Sequence, residues 1–455
     1  MLFLFQILFI IFSVLMLPWY LTKVFRTSNV ARRFWERFGF YSAEVRRQAA
    51  GGNYLWVEAC SVGETRVALL LIEQLHRRWP DSQIALTTTT STGRALALKS
   101  VPAGVLVLYF PVDFYLCTRR AMRLLRPRML LIVERDIWPT LVLTARRYGV
   151  PVGIVNGRMS QKSFCTYHRL GVLSRSIYRS FDLVCAQGPQ DAERHYQLGV
   201  HQDALRVTGS MKFDEAQKPA ANSEQALRFL HACGADASRP IWVCGSTHWG
   251  EEEIVFRVLR RLRTKFPELF LVVAPRHPER AKQVLALAHR RGLNVALRTE
   301  PPRRGADCVL LNTTGELKAF YEAATLIFVG KSLRGRGGQN IIEAAAAGAP
   351  VLFGPRMQNF EAVAEAFVRA GGAVQVRDEN ELSMALEELL AGPDRRREIA
   401  EHARQVIVQS SGATQRTVDA IAEILECGEP DNLIPGLRSL RSVPPTPRSS
   451  CIRLT

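Results

Sequence analysis

The 455-residue chain is 47% hydrophobic and 22% charged, which excludes a disordered or fibrous protein and is enough material for two domains of ordinary size. Sixty Lys and Arg against 42 Asp and Glu leave a net charge of +18, so the expected partners are anionic: nucleic acid, acidic headgroups or phosphorylated substrates. The nine cysteines are scattered without a C-x-x-C pair, a pattern that fits neither a disulfide framework nor a zinc site and points to a reducing, cytoplasmic compartment.

Residues 1–20 are almost wholly apolar, broken by Gln6, Ser13 and Pro18, and end in Trp19-Tyr20. At roughly 1.5 Å per residue this is about one membrane crossing. No Lys or Arg precedes it, whereas Lys23, Arg26, Arg32 and Arg33 follow, so the positive-inside rule puts the rest of the chain in the cytoplasm. Residues 1–22 are therefore read as an uncleaved anchor, either single-pass or monotopic. The Arg-rich, aromatic-interleaved stretch 23–47 reads as an interfacial segment on anionic headgroups, with RNA binding as its alternative.

From residue 54 short apolar runs alternate with amphipathic stretches. Runs at 54–60, 84–88, 105–110, 129–133, 152–155 and 183–186 predict strands of a mostly parallel, doubly wound sheet, a first domain over 23–214. A polar, Ala-rich stretch at 215–240 reads as an interdomain linker. A second series, 241–244, 269–274, 308–311, 326–329 and 351–353, predicts a second domain of the same class over 241–428. Two such domains imply a cleft at the C-terminal ends of their strands. The Pro-, Ser- and Arg-rich tail 429–455 reads as disordered.

Several polar residues fall at those strand ends. Ser61-Val-Gly-Glu64 follows the first strand, so Glu64 is a candidate general base; the same spacing is that of a helix capping box. Glu134 directly follows an apolar strand, and its competing role is an ion pair with a basic neighbour. Arg158 and Ser160 share that edge. Lys212, in Gly209-Ser-Met-Lys-Phe-Asp214, can neutralise charge on a departing phosphate or can simply be solvated.

In the second half, the strand at 326–329 runs into Gly330-Lys-Ser-Leu-Arg-Gly-Arg-Gly-Gly338, a glycine loop whose amides suit an anion, with Gly337 and Gly338 as its phosphate-binding candidates. It is neither a Walker A loop nor a dinucleotide fingerprint. Glu343 can face a sugar hydroxyl or can cap its own helix with Asn340. Arg276 is a candidate phosphate or carboxylate fork. His248 and His277 lack metal-ligand spacing, so neither a metal nor a cofactor is expected.

Taken in order, Trp56-Val-Glu-Ala-Cys-Ser-Val-Gly-Glu64, Thr87-Thr-Thr-Thr-Ser-Thr-Gly93, Glu134 to Pro139, Gly157-Arg-Met-Ser-Gln-Lys-Ser163, Gly209 to Asp214, Gly245-Ser-Thr-His248, Pro275 to Arg280, Gly315-Glu-Leu317 and Gly337-Gly-Gln-Asn-Ile-Ile-Glu343 closely resemble the 3-deoxy-D-manno-octulosonic acid (Kdo) transferases of lipopolysaccharide synthesis. The resemblance implies a GT-B glycosyltransferase fold, two Rossmann-like domains facing a cleft. It also implies inverting transfer of Kdo from CMP-Kdo to a lipid A precursor, lipid IVA, at the cytoplasmic face of the inner membrane, with no nucleic-acid partner. By the same resemblance Glu64 is the general base, and Glu134 and Lys212 assist the transition state. Pro275, Arg276, Gly315, Glu316, Leu317, Asn340, Ile341, Ile342 and Glu343 fall where the family binds CMP.

The chain departs from the family pattern at Glu58, Arg135-Asp-Ile137, Asn312, Lys331 and Gln339. Those departures keep two alternatives open: a membrane-associated GT-B enzyme with another nucleotide-sugar donor, and a non-catalytic basic protein that binds membrane or RNA.

Overall fold

The computed structural model of the chain describes residues 31–134, 137–220, 222–235 and 239–426. The expected anchor over 1–22, the departure at Arg135 and the tail over 429–455 lie outside the described residues. Among the described residues no helix is long and apolar enough to cross a membrane.

The first sheet holds β1 (Leu55–Ala59), β2 (Ile84–Thr88), β3 (Leu106–Tyr109), β4 (Met129–Val133), β5 (Val152–Gly157), β6 (Leu183–Ala186) and β7 (Leu205–Val207), in the order β3-β2-β1-β4-β5-β6-β7. The second holds β8 (Ile241–Thr247), β9 (Phe270–Pro275), β10 (Val295–Leu297), β11 (Cys308–Leu310), β12 (Leu326–Val329), β13 (Val351–Phe353) and β14 (Val374–Gln375), in the order β10-β11-β9-β8-β12-β13-β14. Every pairing in both is parallel. Strands with helices on both faces are buried on both, which is why they read as continuous apolar runs rather than as alternating patterns. Two doubly wound sheets of this kind make the α/β, two-domain GT-B architecture. Each sheet reverses its winding once, between β1 and β4 and between β8 and β12, and a crevice opens at the C-terminal ends of those strands.

Helix α1 (Val62–Arg78) shows how local sequence positions the first crevice. Ser61 caps it, and Val67, Ala68, Leu71, Ile72 and Leu75 form the apolar stripe that lies on Leu55, Val57 and Leu131 of the sheet. Burying each of the Val, Leu and Ile side chains contributes roughly 1.5–3 kcal/mol. The stripe therefore fixes the direction in which the first turn, with Glu64, faces the strand ends.

Two boundaries differ from the sequence reading. The stretch 215–240 is not a bare linker. It contains the end of a short helix, α2 (Lys212–Ala216), and a helix over Ser223–Cys233 whose Ala226, Phe229, Leu230 and Cys233 join the core of the second domain. Their i, i+3, i+4, i+7 spacing is helical, and it outweighs the polar composition around it.

The second domain also ends earlier than residue 428. Its helices continue through α3 (Glu251–Leu262), α4 (Ile342–Ala346) and α5 (Pro393–Ser410), but α6 (Ala413–Glu426), the last helix among the described residues, packs on the first sheet. Ala413, Val418, Ala420 and Ile421 join the cluster of α1, β1 and β4. Asp214 fixes the crossing, because its carboxylate accepts from the amides of Gly412 (2.6 Å) and Thr414 (2.7 Å) and from the Thr414 hydroxyl (2.6 Å). The chain thus passes between the domains twice.

Candidate active site

At the end of β1, Glu64 is buried, and its Oε2 accepts from the amides of Cys60 (2.7 Å) and Ser61 (3.2 Å), while Ser61 Oγ accepts from Glu64 N (3.3 Å). The capping box weighed against a base is therefore formed. The cap holds the Glu64 carboxylate at the crevice mouth, a placement open to either reading.

Glu134, at the end of β4, is buried and sits at φ 66°, in the left-handed region. Lys212 Nζ lies 2.6 Å from its Oε1, and Asn156 Nδ2 donates to the same oxygen at 3.3 Å. Asn156, at φ 53°, also accepts from Met211 N at 3.0 Å. The charged neighbour weighed for Glu134 thus comes from Lys212, 78 positions along the chain, rather than from a sequence neighbour. Non-glycine residues held at positive φ cost on the order of 1–3 kcal/mol each and persist where surrounding contacts impose them. Here Asn156 imposes them, tying the β4 end, the β5 end and α2 together.

Asn156 was not among the sequence candidates. Its signal is position alone: it is the first polar residue after the apolar run of β5. Arg158 spans to the second domain, with its guanidinium 5.2 Å from the Phe360 ring centroid. Ser160 caps the helix over Gln161–Arg169, accepting from Ser163 N at 3.1 Å, so its role is structural.

The second sheet contributes the opposite wall. Pro275 is buried at the end of β9, and Arg276 is exposed beside it. Gly315 has φ 87°. Glu316 is held by Arg298 (2.8 Å) and by the Thr313 hydroxyl (2.5 Å), next to Leu317, the first residue of a short helix. Asn340 Oδ1 accepts from Ile342 N at 3.2 Å, and Ile341 and Ile342 are buried.

Glu343 does not reach back to cap its helix. Its Oε1 meets Arg66 Nη1, from α1 of the first domain, at 2.9 Å. Arg66 also lies 3.8 Å from Glu215, whose carboxyl is pushed up by burial and by Glu343, with Arg66, Lys318 and Lys218 opposing. Arg66 thus brings the Glu64 helix and the Glu343 helix together across the cleft.

Most amides of the glycine loop, that of Gly337 among them, are turned inward. The amides of residues 331–334 all donate to the buried carboxylate of Glu251, and Gly337 N donates to Gln358 Oε1 at 2.9 Å. Those amides serve the loop itself rather than an incoming anion. Gly337 is confined there, since a Cβ would stand 2.2 Å from Asn359 Nδ2.

Among the departures, Glu58 is fully buried on β1 between Thr87 and Ile132, and Asn312 binds Thr299 through both ends of its amide. Among the described residues no group of three His, Cys, Asp or Glu is arranged to hold a metal ion. A cavity of about 800 Å³ lies between α5 and residues 345–350, and none of the candidate residues lines it.

Comparison with known proteins agrees with this geometry. Residues 32–215 match the model of the 3-deoxy-D-manno-octulosonic-acid transferase (kdotransferase) family, and residues 251–406 match that of glycosyl transferases group 1. A 3-deoxy-D-manno-octulosonic acid transferase of Bordetella pertussis is 36% identical over 88% of this chain and 95% of its own length. The one from Haemophilus influenzae is 29% identical over 88% and 93%. Among solved structures, a UDP-GlcNAc 2-epimerase from Neisseria meningitidis superposes with a TM-score of 0.59 over 81% of this chain and all of its own, at 14% identity, which is a likeness of fold.

Proposed function

The chain belongs to the 3-deoxy-D-manno-octulosonic acid transferase family of glycosyltransferases, and on that premise we propose that it moves Kdo from CMP-Kdo to a lipid A precursor such as lipid IVA. One observation carries the reading. A fixed carboxylate (Glu64) and a cation–carboxylate pair (Lys212 with Glu134) on one domain meet Glu343 of the other through the Arg66 bridge.

In the proposed reaction the acceptor hydroxyl oxygen bonds to the anomeric carbon of the donor sugar as the bond from that carbon to the phosphate oxygen breaks. The hydroxyl proton passes to Glu64, and CMP leaves with the bonding electron pair, inverting the anomeric centre. Lys212 meets the charge that develops on the phosphate. Its ammonium carries three donors, of which Glu134 engages one, leaving two for the departing oxygens. Pro275, Arg276, Gly315 to Leu317 and Asn340 to Glu343 are proposed to hold the CMP moiety, with Glu343 exchanging Arg66 for a ribose hydroxyl.

Attachment to the cytoplasmic face of the inner membrane is part of the proposal, and an exposed aromatic edge of the first domain supports it. Trp35 is 63% and Phe40 49% exposed; they pack with Phe34 and Phe38, and Arg120 lies over the Phe40 ring at 4.2 Å. Aromatic rings with interleaved arginines suit the headgroup region of an anionic bilayer.

The test is an assay of detergent-solubilised protein with freshly generated CMP-Kdo and lipid IVA, with products resolved by mass. Addition of one or more Kdo units with release of CMP is the expected result. No CMP release, together with protection by UDP- or GDP-sugars rather than CMP, overturns the donor assignment.

A further inference from the structure

One carboxylate organises the mouth of β12. Glu251, the wholly buried first residue of α3, accepts from His248 N (2.9 Å) and Lys331 N (2.6 Å) at Oε2. Its Oε1 accepts from Ser332 N (3.0 Å), Leu333 N (3.0 Å) and Arg334 N (3.2 Å). Five backbone donors on one carboxylate reproduce the arrangement by which open loops hold phosphate, with the anion supplied from within. An external anion at this edge therefore has to be met by side chains.

The shared oxygen Oε2 brings residues 248 and 331, at the ends of β8 and β12, to one spot. Lys331 is held there at φ 59°, a conformation that favours glycine, and Ser246 nearby at 55°. His277, at the end of β9, packs its ring edge-on to His248 with centroids 5.5 Å apart, and Arg276 N donates to Thr247 O at 3.0 Å. Three neighbouring strand ends thus deliver His248, Arg276, His277 and Lys331 together.

The carboxylates in reach are already engaged. Glu251 is spent on amides, Glu252 pairs with buried Arg280 at 2.8 Å, and Glu279 lies 3.5 Å from His277. Among the described residues no carboxylate pairs with the Lys331 ammonium, and the buried Nε2 of His248 has no hydrogen-bond partner. The His248 imidazole is held below its ordinary range by burial first and then by Lys331, with His277 and Arg280 adding and Glu251 opposing.

We propose that His248 and Lys331, with Glu251 as the residue that positions them, form an anion subsite beside Arg276 for the phosphate or the sugar carboxylate of the donor. The subsite rests on the donor reading above, because an activated Kdo carries both groups, one on each side of the bond that breaks.

The test uses Lys331→Asn, since asparagine tolerates the left-handed conformation, and Lys331→Arg, which keeps the charge. In the full-length enzyme Lys331→Asn raises the KM for CMP-Kdo about tenfold with kcat within threefold of wild type. Lys331→Arg restores most of the loss, and both variants keep the wild-type melting temperature. Calorimetry with CMP separates the two anions: CMP binding weakened in parallel assigns the phosphate, and unchanged CMP binding assigns the sugar carboxylate. A KM for Lys331→Asn within twofold of wild type overturns the subsite. A second readout does not depend on the donor. Inorganic phosphate shifts the His248 imidazole NMR signals saturably in wild type and not in Lys331→Asn, and absence of that shift in wild type overturns the proposal. If wild type shows the phosphate shift but does not turn over CMP-Kdo, the donor reading falls and the subsite stands.

Discussion

Arg66 Nη1 stands 2.9 Å from Glu343 Oε1, and Arg66 is two residues from Glu64 on the same helix turn. The residue proposed to hold the donor ribose and the residue proposed as base are therefore joined through one guanidinium across the cleft. Both members of the pair are partly buried, the setting in which an ion pair exceeds the small value of a surface one.

Arg66→Met is expected to lower kcat/KM for CMP-Kdo about tenfold, because it removes the guanidinium that stands between Glu215 and Glu343 and leaves Glu343 without its ion-pair partner. A double-mutant cycle with Glu343→Gln should show a coupling energy of about 1 kcal/mol or more. Additive losses would mean that the bridge has no part in turnover.

Glu64→Gln should keep CMP affinity within about threefold and reduce turnover by roughly 10²–10⁴, the range expected for loss of a positioned base. Glutamine can still accept the two amide hydrogen bonds of the cap, so the melting temperature should move little. Calorimetry and single-turnover assays read the two halves separately; a variant with near wild-type turnover would remove the base assignment.

Lys212→Met should destabilise the protein by about 3 kcal/mol, since it strands the buried Glu134 without its cation. The double variant Lys212→Met with Glu134→Gln should recover most of that stability in urea unfolding and none of the activity. Recovery of both would assign the pair to folding alone.

Asp214→Ala should cost about 2 kcal/mol or more, because three hydrogen bonds at the start of α6 disappear together. Limited proteolysis should then release the C-terminal segment before the rest of the first domain is cut. Unchanged resistance would show that α6 is held by its apolar face alone.

His195 gives a signed pH dependence. Burial depresses its imidazole to about 4, and neither ring nitrogen has a hydrogen-bond partner. The folded state therefore keeps it neutral where the unfolded chain, near 6.5, takes a proton. Its contribution is present above pH 6.5 and is lost as the pH falls toward 4, by on the order of 3 kcal/mol. Asp113 works oppositely: burial raises its carboxyl to about 6 despite the Thr140 and Leu141 amides that it accepts, so its ionisation costs stability as pH rises between 4 and 6. Denaturation midpoints of His195→Phe across pH 4.5 to 7 should lack the acid-side loss seen in wild type.

The parts of this molecule visible in sequence are those where one stretch of chain decides the outcome. Eleven strands announced themselves as apolar runs because both faces of a parallel sheet are buried. The missed strands β7, β10 and β14 are two or three residues long at or next to sheet edges, where a polar residue such as Arg206 is tolerated. Ser61 and Glu64 were legible as a helix cap because Ser-x-x-Glu is the spacing of a capping box, whereas the base role was favoured only by the order of the motifs around them. Glu251 was not, since its five donors come from residue 248 and residues 331–334, and only the assembled domain brings them together. Asn156 was hidden similarly: its partners are Glu134 and Met211, on other elements.

The placement of α6 has a consequence for how the molecule is made. More than two hundred residues separate Val207, the end of the first sheet, from Ala413, where its covering helix begins. At roughly 5–20 residues per second, a ribosome leaves the apolar face of β5 and β6, on which α6 packs beside α1, incompletely covered for on the order of 10–40 s while the whole second domain emerges. The first domain is thus the first to begin folding and the last to finish, and a truncated message yields a chain whose sticky face has no lid.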